Sequence, residues 1–154
     1  MPEMLTVLAP VDGTVLAMAD VPDPVFAGAI VGPGLGIDPP RRAGVDVVSP
    51  VAGTIVKLHP HAFVVQADEA RAVLVHLGLD TVQLAGEGFV LHVAEGAVVA
   101  AGDLVVTWDP SVVEAGGRSP VCPVVALQGP EGDVRGVVDA GAAILSGQPL
   151  LEWS

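Results

Sequence analysis

The chain holds four histidines, His59, His61, His76 and His92. An imidazole can donate or accept a proton, carry a transferred group or bind a metal near neutral pH. Two of the four lie at the margins of apolar runs, His61 in HPHAFVVQ and His76 in VLVHLGLDTV. The second run is rich in β-branched and aliphatic residues and reads as a strand. Strand side chains alternate faces. Val73, Val75, Leu77 and Leu79 then form a core face, while Leu74, His76, Gly78 and Asp80 share the other. A turn at ADEAR, 67–71, folded at residues 68–69, places His61 opposite His76 in an antiparallel hairpin. Opposed residues have Cβ atoms about 4.5–5.5 Å apart. Two imidazoles at that spacing suit two chemistries: phosphoryl transfer through a histidine, or zinc binding.

The elements that must position this pair are short. The chain has 154 residues, enough for one domain with a hydrophobic core, 1–154. It is 51% hydrophobic but only 3% aromatic, with 19 Gly and 14 Pro. So many breakers exclude long helices and favour strands joined by tight turns. Strands are expected at 5–10, 13–18, 25–31, 45–49, 53–58, 62–67, 72–79, 88–93, 104–108, 121–127 and 148–153. One helical turn is expected in PSVVEAGG, 110–117, with Gly as its stop.

Two pairs of segments echo each other. PVDGTV at 10–15 resembles PVAGTI at 50–55, and GAVVAAGDLV at 96–105 resembles GAAILSGQPL at 141–150. Each echo combines Gly turns with short apolar strands. The expectation is an all-β antiparallel sandwich or barrel of two pseudo-symmetric halves, with at most short helical turns.

Charge and cysteine content narrow the partners. The net charge of −12 disfavours nucleic acid and anionic membrane and favours a basic partner patch. The single cysteine, Cys122, excludes an internal disulfide and fits a reducing cytoplasm. The uncharged run from Pro24 to Ile37 falls short of the about 20 apolar residues a membrane helix needs, and it carries Gly and Pro. The opening MPEMLTVLAP has no basic region, so no secretion signal is expected.

The run VLVHLGLDTV resembles the phosphorylation-site signature of the glucose-family enzyme IIA component of the bacterial phosphoenolpyruvate-dependent sugar phosphotransferase system. APVDGTV, DVPDPVFAGAIVGPGLGI, SPVAGTI, HAF, GEGF, GDLV and PVV resemble further segments of that family, in the same order. The resemblance implies a phosphohistidine carrier that does not itself bind the sugar and requires no cofactor. His76 would accept a phosphoryl group through Nε2 from the carrier protein HPr and pass it to the enzyme IIB domain of a sugar permease. A carbonyl near Gly78 would hold Nδ1–H. His61 matches the family's second active-site histidine and would donate a hydrogen bond to the phosphoryl oxygens. The resemblance also implies a partner surface. Val25, Phe26, Ile30 and Val31 would form its apolar part, beside Leu74 and Gly78, and Asp23 and Asp80 its acidic rim. In VPDP, the ordinary role of Asp23 is that of a turn residue.

Some positions depart from the family pattern. Ala70 stands near the place of the signature's leading Gly, and the loop KLHPHAF looks short. A Thr that orients the second histidine is not evident there, and His59 stands nearby. His61 and His76 could also take up adventitious Zn²⁺, with further ligands from water or a partner carboxylate.

Rival readings remain open at this stage. His59-Pro60-His61 is an H-x-H and His76-x₃-Asp80 an H-x₃-D, the two elements of lysostaphin-like zinc hydrolases, though here in reversed order. A biotinyl or lipoyl carrier would need a Lys at an exposed turn, and Lys57 lies inside the strand pattern IVKLH. A regulatory module that has lost transfer chemistry would have no need to keep both His61 and His76.

Overall fold

The structure, a computed structural model, describes residues 3–154. Fourteen short strands form it. They are β1 Leu5–Leu8, β2 Gly13–Ala17, β3 Gly34–Asp38, β4 Val45–Val48, β5 Gly53–His59, β6 Ala62–Gln66 and β7 Ala72–His76. β8 Phe89–Leu91, β9 Val98–Val99, β10 Leu104–Trp108, β11 Cys122–Ala126, β12 Val134–Gly136, β13 Ala143–Ile144 and β14 Pro149–Trp153 complete the set. Two short helices interrupt them, α1 Pro24–Ala27 and α2 Pro110–Ala115. The strands form an eight-stranded sheet, β13-β2-β3-β11-β7-β6-β5-β9, and two three-stranded sheets, β1-β14-β12 and β4-β10-β8. All pairings are antiparallel. The all-β antiparallel sandwich expected from the turn-rich composition is what forms.

The sequence echoes are structural. Gly13 and Gly53 occupy equivalent places, one below the carbonyl of Asp38 and the other below that of Gln66. A Cβ would lie 2.2 Å and 2.1 Å from those oxygens. Gly13 pairs with Ile144 and Gly53 with Val99, so each echo of the first kind meets one of the second. Gly141 and Gly96 then donate to Val15 and Ile55 carbonyls at 2.7 Å. Only a residue without a side chain permits so close an approach of two backbones. The repeated glycines therefore build two related hairpin sets.

The main core joins the sheets through Val, Ile and Leu, with Phe63, Trp108 and Trp153 as its large members. A second cluster lies outside it, made by Met18, Val21, Phe26, Leu79, Val121 and Val125 with Leu16, Val31 and Leu74 packed against them. This second cluster reaches His76 through Phe26.

Two expectations need correction. The segment 25–31 is not a strand. Asp23 accepts a hydrogen bond from the Val25 amide at 2.9 Å, Pro24 takes the first helical position, and Gly28 ends the turn. An Asp cap followed by Pro at the first position is a helix start. The nearby strand is β3, which begins at Gly34, and it pairs with β2 and β11. The run 72–79 is strand only to His76, because Gly78 and Asp80 adopt φ of 77° and 58°. Leu79 consequently leaves the main core and joins the second cluster.

Candidate functional site

β6 and β7 form the hairpin that carries the site. Their register pairs Ala62, not His61, with His76. The turn is centred one half-residue later than expected, because Asp68 Oδ1 accepts from the amides of Ala70 and Arg71 at 2.9 and 2.8 Å. Such an Asx arrangement stabilises an odd-membered loop, and here the Ala67 amide donates to the Arg71 carbonyl at 2.9 Å. His61 reaches His76 by another route. His59 pairs with Ala62 across β5 and β6, leaving Pro60 and His61 as a two-residue turn. Upstream, β5 carries a bulge between Ile55 and Lys57, with the Leu58 amide held by Glu95 Oε1 at 3.0 Å. Bulges re-aim strands beside functional sites. The outcome is a His61 ring 5.3 Å from the His76 ring, tilted at 64°.

His76 is oriented at its other nitrogen. Nδ1 lies 2.5 Å from the Gly78 carbonyl oxygen. A carbonyl only accepts, so Nδ1 carries the proton and Nε2 holds the free lone pair. Gly78 is shaped for this task. Its φ of 77° suits glycine, and a Cβ would meet Thr81 Cγ2 at 2.7 Å and the Ser119 carbonyl at 3.1 Å. The surrounding loop is fixed by Thr81 Oγ1, which donates to the Leu77 carbonyl at 2.8 Å, and by the Leu79 amide, which donates to the Ser119 carbonyl at 2.8 Å. Ser119 and the buried Thr81 were not among the residues singled out from sequence. The Thr of the motif was a signal for the second, but Ser119 lies far along the chain and carried none.

Burial lowers the proton affinity of both rings and so favours their neutral forms. Burial pushes the proton affinity of His76 below the ordinary imidazole value, outweighing the Gly78 hydrogen bond and the charges of Asp23 and Asp80. His61 is lowered by burial first and then by its neighbours His76 and His59. A neutral ring with a free Nε2 is a nucleophile at neutral pH. Cys122 offers no competing nucleophile, because complete burial pushes its thiol up to about 12.

The remaining expected residues divide between floor and surface. Phe26 is buried and its ring lies 5.5 Å from that of His76, so it forms the wall against which the nucleophile packs. Burying a side chain of this size contributes about 1.5–3 kcal/mol. Val31 and Leu74 are partly covered by the same cluster, and Gly78 is buried beneath. Val25 and Ile30 are exposed at 43% and 74%. Val82, at 63%, extends the exposed apolar set and was missed from sequence. Asp23 serves as the helix cap as well as a charge near His76, while Asp80 is exposed.

The donor set does not make a metal centre by itself. Among the described residues no three His, Cys, Asp or Glu side chains converge on one point. His61 and His76 supply two ligands, and a tetrahedral ion would need two more from outside the chain. The zinc-hydrolase reading of the H-x-H and H-x₃-D elements fails on this geometry. Lys57 lies within β5 and not at a turn, which removes the biotinyl-carrier reading. Among the described residues no helix is long and apolar enough to cross a membrane.

Comparison with known proteins agrees with this geometry. A family model described as phosphoenolpyruvate-dependent sugar phosphotransferase system, EIIA 1, matches residues 5–131. The PTS system glucose-specific EIIA component of Bacillus cereus is 44% identical over 122 residues, covering 78% of this chain and 72% of that protein. The PTS system N-acetylglucosamine-specific EIICBA component of Escherichia coli is 40% identical over 149 residues, covering 94% of this chain but 22% of that protein. The solved structure of glucose permease IIA from Mycoplasma capricolum superposes with a TM-score of 0.86 at 34% identity, covering 98% of this chain and 96% of that one. With the family model spanning most of the chain and the same fold in a clear relative, the chain belongs to the EIIA 1 family of the phosphoenolpyruvate-dependent sugar phosphotransferase system.

Proposed function

We propose that His76 is the phosphoryl acceptor and donor of this EIIA component, and that His61 braces the group in transit. In the first step the Nε2 lone pair of His76 attacks phosphorus on the phosphohistidine of HPr. The new N–P bond forms as the old one breaks, and the departing electron pair stays on the HPr ring. The same exchange then runs towards the nucleophile of an enzyme IIB domain. Phosphoryl transfer needs positioning and charge stabilisation more than covalent help. His61 supplies an N–H donor at the right side of His76, and the 5.3 Å ring separation is the observation that carries this assignment.

The partner surface follows from the exposed set. Val25, Ile30 and Val82 are exposed apolar side chains suited to a docking partner, and His76 is half-buried. Asp23 and Asp80 lend the surface negative charge, which suits a basic patch on HPr. Relatives in which the IIA segment is joined to IIB and IIC parts in one chain support the IIB domain as acceptor. One main core with an attached second cluster supports a single working domain over 1–154, acting in the cytoplasm where those partners meet it. The sugar is chosen by the membrane component. The test is a reconstituted relay: phosphoenolpyruvate, enzyme I and HPr should label the chain, and an IIB domain should remove the label. A chain that stays unlabelled would overturn the proposal.

A further inference from the structure

A third imidazole stands beside the transfer pair. His59 is the last residue of β5 and pairs with Ala62, so its backbone belongs to the ladder. Its ring lies 5.5 Å from that of His61 at an interplanar angle of only 21°. His61 is thus flanked on both sides, by a stacked ring and by the tilted ring of His76. Its backbone is pinned, since its carbonyl accepts from the Leu77 amide at 2.7 Å. Its ring is not. Among the described residues imidazole hydrogen bonds occur at His76 and His92, and the His61 ring is oriented by ring contacts alone.

We propose that His59 is a positioning residue, whose stacked ring sets the edge that His61 turns towards the phosphoryl group on His76. The proposal rests on the reading of His61 and His76 as the transfer pair. A residue on a two-residue turn can swing its side chain over a wide arc. Pro60 restrains the backbone on one side, but it does not fix the imidazole's torsions. A flat ring parallel to the imidazole removes the rotations that would carry it away from His76. Stacking needs an aromatic face and not a charge. A second imidazolium beside His61 would oppose it, in keeping with the neutral state that burial and both neighbours favour.

The test uses the full chain with His59→Ala and His59→Phe. Three quantities are read: acceptance from phospho-HPr at His76, kcat and KM for donation to an IIB domain, and the His61 ring-proton shifts by NMR. Both variants should accept at the wild-type rate, because the nucleophile and its carbonyl are untouched. His59→Ala should lower kcat for donation, towards the about 10²-fold loss that an ångström-scale misplacement can cause, with KM unchanged. The upfield ring-current shift at His61 should vanish with it. His59→Phe should restore both. Donation by His59→Ala at the wild-type kcat would overturn the proposal, as would failure of His59→Phe to restore it. A change confined to KM would make His59 a docking contact instead. Equal losses of acceptance and donation would mark general damage and overturn it too. A wild-type chain that accepts no phosphoryl group at His76 would remove the underlying reading, and this proposal with it.

Discussion

The Gly78 carbonyl oxygen lies 2.5 Å from Nδ1 of His76, two residues away along the chain. The contact exists because the strand stops at His76 and Gly78 takes a left-handed φ of 77°. It fixes the tautomer, and with it the nitrogen that can react. A Gly78→Ala variant should therefore lose more than stability. The strained conformation costs about 1–3 kcal/mol, and the new methyl presses on Thr81 and the Ser119 carbonyl. Denaturant unfolding should show the first effect. Slower labelling of the folded fraction by phospho-HPr should show the loss of the contact between the Gly78 carbonyl and His76 Nδ1. Wild-type labelling kinetics would mean that the carbonyl does not orient the ring.

Asp23 has two roles that substitution can separate. As a cap, its carboxylate holds the Val25 amide, and Asn can do the same. As a charge, it favours the protonated form of His76. Asp23→Asn should keep stability, lower the His76 pKa further and slow acceptance from HPr most at low salt. Asp23→Ala should add a cap loss of about 0.5–2 kcal/mol. NMR titration of the His76 ring and calorimetric unfolding measure the two. An unchanged titration in Asp23→Asn would show that its charge does not reach the ring.

The pair also makes stability depend on pH. The folded-state values of His61 and His76 both lie below 6.5. Between those lowered values and 6.5 the unfolded chain binds more protons than the folded one, so stability falls as pH drops through that window. Above 6.5 the contribution is level. Replacing both histidines by Gln should flatten this part of the profile, read as the unfolding midpoint against pH. A midpoint that rises on acidification over the same window would contradict the sign.

Loss of His61 should affect one half of the relay more than the other. His61→Gln keeps the nucleophile and one hydrogen-bond donor, so labelling by HPr should persist. Donation to IIB should slow by about 10²–10³-fold, the usual effect of losing transition-state stabilisation, because the Gln amide does not brace the transferring group as the imidazole does. Pulse-labelled protein mixed with an IIB domain gives the rate directly. Donation at the wild-type rate would show that His61 plays no part.

Much of this architecture was legible in the residue types. The repeated Gly-Thr turns announced two related hairpin sets, because the backbone approach at Gly13 and Gly53 tolerates no side chain. The faces of VLVHL were set by alternation, and Val73, Val75 and Leu77 are fully buried. The misreadings have local causes. VFAGAI has the composition of a strand, but Asp23 and Pro24 just before it start a helix. The hairpin register slipped by one because Asp68 caps a five-residue turn, a side-chain bond that periodicity does not reveal. His61 still meets His76, since the Pro60 turn supplies what the register does not. The burial of Phe26 against His76 was also hidden, because it depends on packing between segments distant in the chain.

The central claim is that Nε2 of His76, and no other atom, carries the group. Phosphorus-31 NMR of the chain labelled through HPr tests it most directly, because the two phosphohistidine isomers resonate apart. The account predicts a single Nε2-phosphohistidine signal that is absent in His76→Gln and present in His61→Gln. A signal from an Nδ1-phosphohistidine, or one that survives in His76→Gln, would contradict it.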